Sequence, residues 1–357
     1  MSDDTNALDN PATTRALKVF EFKRVGDIDL TPPDYLIDSL IERDSLVVLF
    51  GAPKSGKSLI ALDMGLSLST TDDMNTDLDV EWDIGEWHGL KSPTGSSPVI
   101  YVCGEGWRGI KRREMAWRKA HPSRGDALFY VSQTAANLTE VEGARAVIEG
   151  IESVAHRPPA LIIVDTLARN FGGQDENSTQ AMNLFVANLD LIRSTFKGSA
   201  VLVVHHTGHG NGDRGRGSSV LRGALDTEIK VEKLGEIVTM SVVSQKDGDP
   251  TPPKHFRLVR ETIATDSQGL AVTSVRLDED KAHTVEPVGM GDNQRAVWSA
   301  VSAEMKRKQS DGLDQVVTKT EIRSLVNELE ARSIREAIKG LEQRSRLKVE
   351  GENVRLA

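Results

Sequence analysis

A chain of 357 residues carrying one cysteine, a formal net charge of −9 and no apolar run of membrane-spanning length excludes an internal disulfide, a cysteine-based metal cluster and a transmembrane helix. Its length suffices to bury a sizeable core in one large domain with a smaller companion. The acidic balance excludes a surface that coats nucleic acid throughout, yet it is compatible with a basic channel or one basic domain.

The first eleven residues are polar and acidic and lack the basic start and apolar stretch of a signal peptide, which predicts a cytoplasmic location. Residues 1–30 hold few periodic apolar positions and read as a mobile arm. After a short apolar approach at 35–41 and a turn at 42–45, residues 46–50 form an apolar run that reads as a buried strand. It leads into Gly51, Ala52, Pro53, Lys54, Ser55, Gly56, Lys57 and Ser58, and then into a helical segment beginning Leu59-Ile60-Ala61. This fits G-x-x-x-x-G-K-[ST] between strand and helix, the context of a phosphate-binding loop. The glycines let backbone N–H groups turn inward, and the helix start adds its dipole. Lys57 is placed for the β- and γ-phosphates of a triphosphate, and the Ser58 hydroxyl for a magnesium ion.

Residues 70–98 form a long acidic segment holding Trp82 and Trp87, expected to cover part of the site or a subunit contact. A second buried strand at 99–103, containing the inert thiol of Cys103, ends in Gly104-Glu105-Gly106. A carboxylate just past a strand's C-terminal end points into the ligand crevice, which makes Glu105 the candidate general base. The following helix carries Arg108, Lys111, Arg112, Arg113, Arg118 and Lys119, either as a solvated face or for phosphate or subunit contacts. A strand at 128–131 and an amphipathic helix at 140–154 precede the apolar run 160–164, closed by Asp165, the candidate magnesium ligand.

A loop at 170–178 and a helix at 179–193 lead to the strand 200–204, which ends in His205-His206-Thr207. Adjacent strand positions face opposite ways, which argues against paired zinc ligands and suits one histidine sensing the γ-phosphate. Spacing alone does not choose between the two. The Gly- and Arg-rich stretch 208–223 reads as a flexible basic loop able to track a nucleic-acid backbone. Strands at 227–231 and 237–243 follow, with a turn at 244–248.

The phosphate loop, the Gly104-Glu105-Gly106 strand end, the Asp165 strand and the His205-His206-Thr207 tip with its basic loop occur in an order that resembles the RecA-like, AAA-family ATPases of the RepA type. These are hexameric replicative helicases of plasmids, phages and mobile elements, and the likeness covers about residues 33–260. It implies an α/β fold, a RecA-like P-loop NTPase core with a largely parallel twisted sheet flanked by helices. It also implies ATP and Mg2+ bound by Gly51 to Leu59, with the metal on Ser58 and Asp165, water activation by Glu105, and His206 as the phosphate sensor. A hexameric ring on single-stranded DNA is implied too, with a basic finger donated across the subunit interface. In DnaB-type relatives that finger lies in a Lys-x-Arg-x-Gly turn. Here Ser244-Gln245-Lys246-Asp247-Gly248 places Lys246 at the arginine position, and Arg222 competes for the role.

The expected layout is an arm at 1–30, an ATPase core at 31–285, a linker at 286–293 and a small C-terminal α+β domain at 294–357. In that last domain three helices and a terminal hairpin suggest a winged helix, whose third helix region bears Arg335, Lys339, Arg344 and Arg346 alongside Glu336 and Glu342. It is read as binding DNA or docking other replication proteins. The whole is expected to be an ATP-hydrolysing motor on single-stranded DNA that does not engage membranes. A non-motor ATPase switch or loader, or a winged-helix DNA-binding regulator assembled under ATP control, stays open beside it.

Overall fold

The computed structural model describes residues 22–30, 32–69, 85–92, 97–122, 124, 128–207, 215, 217–246, 248, 251–280, 292–310, 313–314, 316–343 and 347–356. Residues 1–34 and 35–357 are separate units. In the first, the described residues hold a 3-10 turn at Val25–Asp27 and expose Phe22, Val25, Ile28 and Leu30.

The second unit begins with β1 (Tyr35–Ile37), β2 (Ile41–Glu42), β3 (Leu46–Gly51) and α1 (Lys57–Ser69). A hairpin, β4 (Gly85–Trp87) and β5 (Leu90–Ser92), precedes β6 (Val99–Cys103), α2 (Trp107–Ala120), β7 (Phe129–Val131), α3 (Val141–Val154) and β8 (Leu161–Asp165). Then follow α4 (Thr179–Thr195), β9 (Ala200–His206), α5 (Ser219–Ala224), β10 (Thr227–Leu234), β11 (Ile237–Gln245), β12 (Lys254–Thr265) and β13 (Ala271–Glu279).

These strands make a nine-stranded sheet in the order β13-β12-β11-β10-β3-β9-β8-β6-β7. From β10 to β7 every neighbouring pair is parallel, and β11, β12 and β13 extend the sheet antiparallel. The core is therefore α/β and largely parallel, as expected. Strands β3, β6 and β8 are buried along their whole length, because helices cover both faces and leave no polar side for alternation. Strand parity sorts the core into two layers. Val47, Leu49, Tyr101, Ile163, Leu202 and Val204 meet α1 and α2 on one face. Leu46, Val48, Ile162, Val201 and Val203 meet α3 and α4 on the other.

The described part of the acidic 70–98 segment serves as a clamp on the core. Trp87, 1% exposed, packs in one aromatic cluster with His88 and Phe256. Its indole N–H donates to Asp63 Oδ2 (2.7 Å), and His88 Nε2–H donates to the same oxygen (2.8 Å). Asp63 thus ties the hairpin to α1 from within the apolar layer. Asp63→Ala is expected to cost about 3 kcal/mol, because the buried Trp87 indole and the half-buried His88 ring lose their acceptor. Asp63→Asn, which keeps an acceptor, is expected to cost less. Chemical denaturation midpoints measure both. Trp82 lies outside the described residues.

The C-terminal region runs α6 (Asp292–Ser310), β14 (Val317–Thr318), α7 (Lys319–Leu325), α8 (Ala331–Gln343), β15 (Leu347–Glu350) and β16 (Asn353–Leu356), with strand order β14-β16-β15. It has its own apolar cluster, which includes Val297, Val301, Ile322, Ile338, Leu341 and Val354. The second helix of this region, α7, is short. Thr318 and Glu321 start it with a reciprocal capping box. Hydrogen bonds from Lys308 and from the Thr318 backbone hold the Glu321 carboxyl down at about 2. Among the described residues no helix is long and apolar enough to cross a membrane.

Candidate functional site

The phosphate loop leaves β3 at Gly51, in register with His206 on β9 and Val231 on β10. A Cβ on Gly51 would stand 2.1 Å from the Val231 carbonyl oxygen, so only glycine lets the loop start here. Gly56 holds φ +104°, in the left-handed region. Past it, Leu59 and Ile60 N–H groups bond back to the Gly56 carbonyl and begin α1. Ala52, Pro53 and Lys54 are exposed, Ser58 and Leu59 half-buried, and Ser55 is buried with its hydroxyl unpartnered among the described residues.

Lys57 is 4% exposed, and its ammonium donates to the carbonyls of Gly51 (2.9 Å) and Ala52 (2.7 Å). Burial lowers its pKa to about 8, opposed by the charge of Asp165. The loop lysine and the β8 carboxylate therefore share one site. The unfolded chain holds this proton more tightly than the fold does, so Lys57 adds stability to the unliganded protein as pH rises from about 8 toward 10.5. Triphosphate oxygens would recharge the amine. Binding of an ATP analogue above about pH 8 is thus expected to take up a proton and to weaken as pH rises. Calorimetry in two buffers of different ionisation enthalpy measures that uptake.

Asp165, 8% exposed, ends β8 beside Cys103 of β6 and accepts a hydrogen bond from the buried Tyr101 hydroxyl. Burial and the neighbouring carboxylate push the Tyr101 pKa well above its ordinary value, so the phenol remains a donor. The Ser58 hydroxyl and the Asp165 carboxylate are hard oxygen donors of the kind magnesium takes. Ser55, with its unpartnered hydroxyl, and the glycine-shaped loop entrance fit a phosphate chain.

Glu105 stands just beyond β6. Its carboxylate is held by Arg169, with Nη2 at 2.6 Å and Nε at 2.8 Å from Oε2. Arg169 belongs to a 3-10 turn at Ala168–Asn170, and neither it nor Tyr101 was singled out from the sequence. The signal for Tyr101 was a phenol in an otherwise apolar strand. For Arg169, the signal was a cation four residues past the strand-ending aspartate.

Register separates the two histidines. His205 is buried on the α3–α4 face with Val201 and Val203, and a Cβ on Gly215 would stand 2.9 Å from its ring. His206 continues Leu202 and Val204 on the α1 face, next to Gly51, whose carbonyl accepts from Thr207 N–H (3.1 Å).

Arg222 and Lys246 lie elsewhere. Arg222 Nη2 is 3.2 Å from Glu228 Oε2, and Lys246 Nζ is 3.7 Å from Asp226 Oδ1. Thr227 is level with Val47 while Val231 is level with Gly51, so these cations sit at the opposite end of the sheet from the chain's own phosphate loop. Of the basic loop, residues 208–214 and 216 lie outside the described residues. On α2, Arg108, Lys111, Arg112 and Lys119 are exposed, although Lys111 and Arg118 pair with Glu114 and Lys119 bonds the Thr262 carbonyl. Cys103 is buried and burial raises its thiol pKa, as suits an inert core residue. Among the described residues no group of three or more His, Cys, Asp and Glu side chains is arranged to hold a metal ion.

No curated protein matches the chain. A crystal structure of the RadB recombinase is similar at 15% identity and a TM-score of 0.40, covering 61% of this chain and 88% of that one. A family model described as an AAA domain matches residues 11–212, from before β1 through the phosphate loop, Glu105 and Asp165 to beyond His206. Since that match takes in more than half of its length, the chain belongs to the AAA domain family of P-loop ATPases.

Proposed function

We propose that this ATPase is a RecA-like, ring-forming motor of the RepA type that couples ATP hydrolysis to movement along single-stranded DNA. The observation that carries the proposal is the convergence of Lys57 and Asp165 on one site, with the Arg169-paired carboxylate of Glu105 on the adjacent strand end. Gly51 to Leu59 would cradle the triphosphate and Glu105 would orient water in line with the γ-phosphorus. Lys57 and His206 would meet the charge that builds on the phosphoryl oxygens. A magnesium ion on Ser58 and Asp165 would neutralise further negative charge there. Arg222 and Lys246 point away from the chain's own loop, which suits a cation that completes a neighbour's site in a ring.

The C-terminal region from α6 onward has the element order of a winged helix. Its third helix exposes Arg332, Arg335 and Lys339, with Arg332 paired to Glu336 (2.9 Å). That mixed face suits docking to another replication protein as well as to a DNA groove.

The test is ATP turnover of the full chain with and without oligodeoxythymidylate, read beside its mass in solution with a non-hydrolysable analogue. The motor reading expects stimulation by the oligonucleotide and a ring-sized mass. Hydrolysis by a monomer, indifferent to DNA, would instead mark a switch or loader.

A further inference from the structure

In a chain of net charge −9, α2 sets Arg108, Lys111, Arg112, Arg113, Arg118 and Lys119 against a single acid, Glu114. The fold uses the two halves of this helix differently. Glu114, Ala116 and Trp117 are buried, Arg118 pairs with Glu114, and Lys119 donates to the Thr262 carbonyl of β12. The C-terminal half is thereby seated on the β12–β13 hairpin.

The first two turns do no such work. Trp107 is 40% exposed, whereas Trp87, Trp117 and Trp298 are 6% exposed or less. The Arg108 guanidinium stands over the Trp107 ring, 5.5 Å from its centroid, in a cation–π contact. Arg112, one turn beyond Arg108, is exposed and makes no ion pair or hydrogen bond among the described residues. A Cβ on Gly109 would meet nothing within 4 Å, and Gly106, at φ +72°, is equally unobstructed. The space beside this end of the helix is open to a ligand that comes close to the backbone.

Single-stranded nucleic acid asks for planar faces on which bases stack and for cations that meet the phosphates between them. An exposed indole with guanidiniums at its side supplies both. A contact with a second copy of the chain would instead bury Arg108 and Arg112 around the indole, and desolvating several like charges together is costly. A polyanion neutralises them.

We infer that Trp107, Arg108 and Arg112 form a stacking surface for single-stranded DNA, the indole taking a base and the guanidiniums the adjoining phosphates. This surface is separate from the stretch 208–223. The inference rests on the reading of the chain as an ATPase that acts on single strands, and it adds a second place where the strand is held.

The test uses the full chain with a non-hydrolysable ATP analogue and a fluorescein-labelled oligodeoxythymidylate, read by anisotropy across a salt series beside the mass in solution. Trp107→Ala is expected to weaken affinity about tenfold, and Trp107→Phe, which keeps a ring, to stay within about threefold of wild type. Arg112→Gln is expected to lower the slope of log affinity against log salt by about 0.7. Wild-type affinity in Trp107→Ala together with a wild-type salt slope in Arg112→Gln overturns the inference. A fall in assembled mass in Trp107→Ala also overturns it, by assigning the surface to a subunit contact. If Trp107→Ala loses analogue binding, Arg112→Gln decides through the salt slope. Failure of the underlying functional reading looks different, since wild type itself would then bind no oligonucleotide.

Discussion

Lys57→Ala is expected to lower ATP turnover at least ~10²–10³-fold and to weaken binding of an ATP analogue, while the protein stays folded. In the unliganded protein the ammonium occupies two carbonyl oxygens of the loop itself, those of Gly51 and Ala52. It is thus already inside the cradle and has only to exchange neutral acceptors for phosphate oxygens. Nearby, Lys54 is exposed and at φ +62°, on the outside of the turn, so no second loop cation takes over. The fold does not depend on this charge. Burial lowers the Lys57 pKa, which means that the charged form is held at a cost in the absence of ligand. Thermal unfolding of the alanine variant should therefore lie within a few degrees of wild type. A large drop in unfolding temperature alongside the lost turnover would show that Lys57 is structural.

The strands around that loop were readable because of where they sit. With helices on both faces, β3, β6 and β8 have no exposed side and read as unbroken apolar runs that end in functional residues. Strands β12 and β13 were harder. They lie at the antiparallel edge, mix buried and exposed positions, and carry charges such as Arg257, Arg260 and Glu261. Neither is among the strands expected at 227–231 and 237–243. The hairpin at 85–92 was hidden in an acidic segment because its anchoring depends on Asp63, 24 residues before Trp87. For the same reason Arg169 was invisible. Its role lies in a contact with Glu105 that only the parallel alignment of β6 and β8 creates. The choice between His205 and His206 was open in sequence, and register now separates their faces.

Glu105→Gln is expected to lower turnover by ~10²–10⁴ while leaving affinity for the ATP analogue near wild type. Glutamine keeps the size of the side chain and one acceptor oxygen, but it cannot take a proton from water. The substitution also gives up the charge that pairs with Arg169, yet both side chains are more than half exposed, so the loss to the fold is about 1 kcal/mol or less. No phosphate-loop residue touches Glu105 in the bonds described, and Lys57 feels Asp165 instead. That separation predicts opposite profiles for the two variants. Removing Lys57 weakens binding and slows chemistry together, whereas altering Glu105 spares binding and slows chemistry. Single-turnover measurement with quantified bound nucleotide distinguishes them. If Glu105→Gln hydrolyses ATP at the wild-type rate, the carboxylate gripped by Arg169 is an ion pair of the surface, and the water must be activated from another strand end.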